Sequence, residues 1–172
     1  GVSKWEAELE LKRLSEEAGM EFVIIRPPLV YGGDAPGNFG QLLRIVAAGI
    51  PLPFGAVHNL RSFVALDNLV DFIDVCCVHP RAANQVFLIG DGQDLSTPEL
   101  IRGIAQSIHQ NIFLFPVPLW MLKAGAALLG RSEAMQRLCG DLQVDISKAR
   151  NLLGWEPLVS VDEGLWRATR QR

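Results

Sequence analysis

The chain has 172 residues, 49% of them hydrophobic and 20% charged, with a net charge of −3. That length and apolar content suffice for one globular domain with a sizeable core, while scattered Lys and Arg argue against a nucleic-acid or anionic-membrane surface, which needs clustered cations. Three cysteines, Cys76, Cys77 and Cys139, form no disulfide framework and fit a reducing compartment, with cytoplasm as the default.

The first predicted element is an amphipathic helix from Ser3 to Ala18, with Trp5, Leu9 and Leu14 roughly on one side. Ser3 stands three residues before Glu6, the capping-box spacing, and so suits an N-cap. Gly19 stops this helix. Glu21 to Arg26 is a short β-branched run ended by Pro27-Pro28, as expected of a parallel strand buried on both faces. The two prolines fix φ and stiffen a loop that runs on to Gly32. A Gly/Pro-rich loop, Gly32 to Gly40, precedes a helix from Gln41 to Ala48 with Leu42, Ile45 and Val46 on its apolar face. Asn38, at the end of that loop, suits either a ligand contact or a helix cap. Gly49 to Gly55 is an extended, proline-punctuated edge.

Beyond Arg61, the residues Leu66, Leu69, Val70, Ile73 and Cys77 follow helical spacing. Asp67, Asp71 and Asp74 lie elsewhere around that helix and read as a solvated face and an N-terminal cap rather than a cation site. Gln85 to Gly90 is a strand closed by the Gly90-Asp91-Gly92 turn, and Ser96 or Thr97 caps the helix that follows, with Pro98 near its first position. The apolar stretch Val117 to Gly130 contains Lys123 and falls short of the ~18 residues of a membrane span, so it reads as a buried or half-buried helix or as an apolar face offered to a partner. Asp145 or Ser147 caps a short helix that Gly154 ends and Pro157 keeps from continuing. His58, His79 and His109 share no metal-ligand spacing with the cysteines, and no strand is followed by a Gly-x-Gly-x-x-Gly turn that would cradle a pyrophosphate.

Five blocks in order carry a family resemblance: Gly1-Val2-Ser3-Lys4; Arg26-Pro27-Pro28-Leu29-Val30-Tyr31-Gly32; Arg61-Ser62-Phe63-Val64 through Asp67; the strand, turn and Ser96-Thr97-Pro98-Glu99-Leu100; and Asp145-Ile146-Ser147-Lys148-Ala149 leading to Leu153-Gly154-Trp155-Glu156-Pro157. The chain resembles the extended short-chain dehydrogenase/reductases, the family of nucleotide-sugar epimerases, dehydratases and 4-ketosugar reductases. The resemblance implies an α/β fold: a remnant of the parallel Rossmann sheet in residues 1–32 and a mixed α/β substrate-binding lobe mainly in 33–172, with the N-terminal NAD-binding region absent. It implies that Gly1 follows the tyrosine of a Tyr-x-x-x-Lys pair, so that Lys4 is a catalytic residue holding the nicotinamide ribose and lowering that tyrosine's pKa.

It further implies that Pro27, Pro28, Leu29 and Val30 border the cofactor, NAD or NADP. Asn38, Phe39, Arg61 and Arg137 would contact the substrate, a UDP- or dTDP-sugar reacting at C4. Arg61 is the foremost of these, since a guanidinium donates two parallel hydrogen bonds to phosphate oxygens. Many relatives have asparagine where Leu29 stands. No metal, nucleic acid or membrane partner is implied; a homodimer or self-association is. The chain alone is expected to be inactive. The alternative reading is a non-catalytic module of the same superfamily that binds a nucleotide sugar or a protein.

Overall fold

The computed structural model describes residues 2–33 and 38–170. Helix α1 (Val2–Ala18) leads to strand β1 (Val23–Arg26), β2 (Leu29–Tyr31) and helix α2 (Asn38–Ala47). Next come β3 (Phe63–Ala65), α3 (Leu66–Val78), β4 (Gln85–Leu88) and α4 (Thr97–Ser107). Four helices complete the chain: α5 (Leu119–Leu128), α6 (Ser132–Cys139), α7 (Ser147–Leu153) and α8 (Val161–Arg170). Both strand pairs are parallel, β1 with β4 and β2 with β3, so each is closed by a crossover rather than a hairpin.

β3 divides the core because successive side chains of a strand face opposite ways. Phe63 and Ala65 join a cluster with Tyr31, Phe39, Leu100 and Leu165, whereas Val64 joins Phe72, Phe87, Ala149 and Trp155 on the other side. In the second cluster the ring of Phe72 meets Phe87 and Trp155 edge-on, with centroids 5.5 and 4.9 Å apart. α8 presses on the first cluster through Gly164, where a Cβ would lie 2.5 Å from the Tyr31 Oη, so no larger residue fits there without displacing the tyrosine.

Several sequence expectations hold at the level of local chemistry. Gly19 and Gly154, at φ of +63° and +67°, end α1 and α7. Ser96 caps α4 in a full capping box with Glu99.

Others need correction. The proline-stiffened loop after β1 contains a strand, β2, because Leu29 to Tyr31 finds β3 as a parallel partner. β1 is shorter than expected, and only Ile24 is fully buried while Val23 and Ile25 are half-buried. Ser3 lies inside α1 rather than capping it. In α2 it is Leu43, with Leu42 and Val46, that is buried, and Ile45 is exposed. In α3 the helical period is right but the phase is shifted: Asn68, Phe72 and Cys76 face inward, while Leu66, Val70 and Ile73 face out. The reason is polar: Asn68 donates to Asp91 Oδ1 at 2.7 Å and to the Val159 carbonyl at 3.0 Å, and these buried partners set the rotation. The acids of α3 are also more than a solvated face. Asp71 accepts the Trp155 indole N–H at 2.7 Å, and Asp67 pairs with Arg167 at 2.9 Å.

Candidate functional site

A cleft of about 160 Å³ opens between β2, α2, the start of β3 and α6. Its walls are mainly apolar, with Leu29 from β2, Phe39 and Leu42 from α2 and Phe63 from β3, and two guanidinium-bearing residues, Arg61 and Arg137, line it together. Arg61 precedes β3 by two residues and so shares the face of Phe63, which also lines the cleft. The cleft is smaller than the ~300 Å³ at which sites for whole drug-sized ligands begin, and suits part of a nucleotide.

Arg61 is anchored through its backbone, which exchanges hydrogen bonds with Leu95 at 3.0 and 2.9 Å. Its Nη1 donates to the Gly140 carbonyl at 2.8 Å, and this is its sole side-chain hydrogen bond among the described residues. Desolvation draws the guanidinium below its usual value, and the neighbouring Asp141 and Cys139 oppose this; an arginine remains charged under such a shift. Asn59, two residues earlier, is buried and holds the surrounding chain, donating to the Leu138 and Gly140 carbonyls at 3.2 and 3.3 Å and accepting from the Thr97 N–H at 2.9 Å. The Gly140 carbonyl thus orients Arg61 and is itself held by Asn59. Arg137 is exposed on α6 and donates to Glu133 at 3.2 Å, a contact in water that leaves its other donors available.

Thus the structure brings together Leu29, Phe39, Arg61 and Arg137 of the expected site residues. It does not bring Lys4, Pro27, Pro28 or Val30 into this cleft. The side chain of Asn38 lies outside the described residues. Lys4 sits on exposed α1, one turn before Glu8, which accepts from the Arg26 Nε at 2.9 Å. Residues four apart share a helix face, so Lys4 lies toward the carboxyl end of β1, the side from which Pro27-Pro28 depart. Phe63, Leu100 and Leu138 are cleft residues that sequence reading missed; only Phe63 carried a signal, its two-residue spacing from Arg61.

Among the described residues no group of three His, Cys, Asp or Glu could hold a metal ion, and no helix is long and apolar enough to cross a membrane.

No family model matches the chain. It is 48% identical over 165 residues to a UDP-glucose 4-epimerase of Vibrio cholerae, a match that covers 95% of this chain and 50% of the relative. Its homologues are extended short-chain dehydrogenases of the UDP-glucose 4-epimerase type. The chain spans about half the length of the curated relatives it matches. The fold agrees. A UDP-glucose 4-epimerase from Thermotoga maritima, solved with UDP-glucose, superposes with a TM-score of 0.72 at 23% identity, covering 99% of this chain and 52% of that one. A UDP-glucuronic acid 4-epimerase from Bacillus cereus, solved with NAD, gives 0.75 at 20% identity, covering 99% and 50%. The mixed α/β architecture with short parallel sheets matches the C-terminal portion of these folds.

Proposed function

We propose that this chain is the substrate-binding portion of an NAD(P)-dependent nucleotide-sugar epimerase acting at C4 of a UDP- or dTDP-sugar, with a 4-ketosugar reductase or dehydratase as the variant of the same chemistry. The observation that carries this reading is the meeting of Arg61 and Arg137 in one apolar-walled cleft of a chain 48% identical to a UDP-glucose 4-epimerase.

The two guanidinium groups would hold the diphosphate. Arg61, half-buried and fixed by Gly140, offers the better geometry, because a donor already oriented loses less freedom on binding. Phe39, Leu42 and Phe63 would shield the apolar face of the nucleotide. The cofactor fits in part. Lys4, one helical turn before the Glu8 that pairs with Arg26, and the Pro27-Pro28 segment lie toward the carboxyl end of β1, where α/β sheets bind ligands, and would hold the nicotinamide end; Leu29 and Val30 continue that edge. A pyrophosphate cradle of the glycine-rich kind is not present in residues 1–172. When bound, NAD(P) supplies the hydride acceptor. Lys4 would hydrogen-bond the ribose and, as a nearby cation, favour the ionised form of a catalytic tyrosine.

In this reading residues 1–32 belong to the nucleotide-binding sheet and 33–172 mainly to the substrate lobe, the 172 residues alone do not turn over substrate, and the compartment is cytoplasmic. Trp5, Leu9 and Leu14 of α1 and Leu66, Val70 and Ile73 of α3 are exposed apolar side chains, and we expect the isolated chain to self-associate through them. A concentration-independent monomer in sedimentation would count against that.

The test is titration of isotopically labelled chain with UDP and with uridine. UDP should shift the amides around Arg61, Phe39 and Arg137, uridine should shift them far less, and Arg61→Ala should abolish the difference. No response to UDP would remove the nucleotide-sugar reading and favour a protein-binding module.

A further inference from the structure

Asn59 is a polar residue at 6% exposure whose amide is engaged at both ends. Its Nδ2 donates to the carbonyls of Leu138 and Gly140, and its Oδ1 accepts from the Thr97 N–H. These partners fix which way the amide points. Turned over, it would set an oxygen against two carbonyls and an NH2 group against an N–H.

Two of the partners are helix ends. Thr97 is the first residue of α4, whose opening N–H groups have no partner within the helix, and Leu138 is in the last turn of α6, whose closing carbonyls have none. One buried amide therefore joins the start of α4 to the end of α6, and the Thr97 hydroxyl adds a second donor on the Leu138 carbonyl. Both helices wall the cleft, α4 through Leu100 and α6 through Arg137 and Leu138. The remaining partner, the Gly140 carbonyl, is the acceptor that orients Arg61.

The neighbouring segments stay side by side without this amide. The Leu142 N–H donates to the Leu60 carbonyl at 3.0 Å, and the Ser62 N–H donates to the Leu142 carbonyl at 2.7 Å. What Asn59 adds is direction, because it aims the carbonyl on which the Arg61 guanidinium rests.

We propose that Asn59 is a positioning residue of the cleft, acting through the Gly140 carbonyl to hold the Arg61 guanidinium ready for a diphosphate. This role rests on the reading of the cleft as a diphosphate site. Asn59 does not itself line the cleft, so its effect on a ligand passes through Arg61.

The test is a cycle of Asn59→Ala and Arg61→Ala in the protein at its full native length, with UDP affinity measured by calorimetry. Asn59→Ala should weaken UDP about three- to tenfold, the cost of ordering on binding a guanidinium that was ordered beforehand. In the Arg61→Ala background the same change should cost less than about twofold, since the group through which it acts is gone. A merely structural residue would cost the same in both backgrounds. Circular dichroism checks that each variant is folded. Should Asn59→Ala not fold, Asn59→Ser keeps one hydroxyl, whose single proton cannot serve both carbonyls, and the same pattern is expected of it. Wild-type UDP affinity in a folded Asn59 variant, or an equal loss in both backgrounds, overturns the positioning role and leaves the diphosphate site standing. A wild-type protein that binds no UDP removes the diphosphate site, and the role of Asn59 falls with it.

Discussion

The two ends of β3 hold opposite charges in opposite circumstances. At its carboxyl end Asp91 is buried and saturated: it accepts from the Tyr31 hydroxyl at 2.7 Å, the Ala65 N–H at 2.9 Å and Asn68 Nδ2 at 2.7 Å. At its amino end Arg61 is half-buried and spends one side-chain donor on Gly140, with an apolar cleft in front of the rest. A saturated buried charge can serve only the fold, because a ligand would have to displace partners already in place. A charge oriented by one bond and left with donors beside a cavity can serve a ligand. The contrast is testable as a separation of effects, stability at one end and binding at the other.

The largest effect is expected from Asp91→Ala. It strands three donors around a buried site, each costing about 1–3 kcal/mol when left unpaired, so the loss should be about 3 kcal/mol or more in urea unfolding. Tm should fall by about 6–12 °C for a chain of this size. A loss below about 1 kcal/mol would show that water or repacking replaces the carboxylate, and the distinction between the two ends would fail.

Next in size is Arg61→Ala, read on binding. Loss of a charge-assisted phosphate contact of about 1.5–3 kcal/mol corresponds to a weakening of UDP affinity of about tenfold to a hundredfold, measured by calorimetry. Stability should drop by only about 1 kcal/mol, the worth of one hydrogen bond. Arg61→Lys should recover part of the affinity, since the point charge remains but the planar fork does not. If Arg61→Ala destabilised the fold as much as Asp91→Ala while UDP affinity held, Arg61 would be structural and the cleft empty of function.

A pH series sharpens the Asp91 end. Burial lifts its carboxyl above the ordinary value of 3.8, and the bonds from Asn68, Tyr31 and Ala65 offset that only in part. A carboxyl whose folded pKa is raised binds its proton more tightly in the folded chain. Its contribution to stability is complete below 3.8 and is lost as pH rises through the folded pKa. Asp91→Asn cannot titrate. The stability of the wild type relative to Asp91→Asn should therefore fall as pH rises from the acid side toward neutrality, and a difference that grew with pH would mean that the hydrogen bonds outweigh burial.

How far these features were legible in the sequence depends on the range of the interaction that sets them. The cap of α4 and the Gly154 stop are decided within one turn; the sequence narrowed the cap to Ser96 or Thr97, the structure selects Ser96 with Glu99, and Gly154 was read directly. The apolar period of α3 was legible, but its phase was not, because the side chain that anchors its rotation is Asn68, whose partners Asp91 and Val159 lie 23 and 91 residues away. A polar residue at 0% exposure is invisible to an argument that buries only apolar ones. β2 escaped notice for a similar reason, since three residues after two prolines become a strand only when a partner some 34 positions on pairs with them. The cleft was legible in its charged members, Arg61 and Arg137, through the order of motifs; Leu100 and Leu138 carry no local sign of where α4 and α6 meet it.

The smallest expected effect, and the sharpest use of the comparison, is at Arg137. Its guanidinium is exposed, and its pairing with Glu133 at 3.2 Å joins two side chains that are themselves mostly in water, so Arg137→Ala should change stability by less than about 0.5 kcal/mol. On UDP affinity it should cost a few-fold, less than Arg61→Ala, because an exposed and mobile cation gives up more freedom to bind and faces a better-screened phosphate. Raising the salt should shrink the Arg137→Ala penalty toward nothing while leaving most of the Arg61→Ala penalty in place, since the half-buried Arg61 is shielded from mobile ions and Arg137 is not. Equal salt sensitivity of the two penalties would mean that the diphosphate binds outside the cleft, over the surface that both side chains can reach; a vanishing penalty at Arg137 at every salt concentration would leave Arg61 as the sole guanidinium on the ligand and make the pairing of Arg137 with Glu133 a feature of α6 alone.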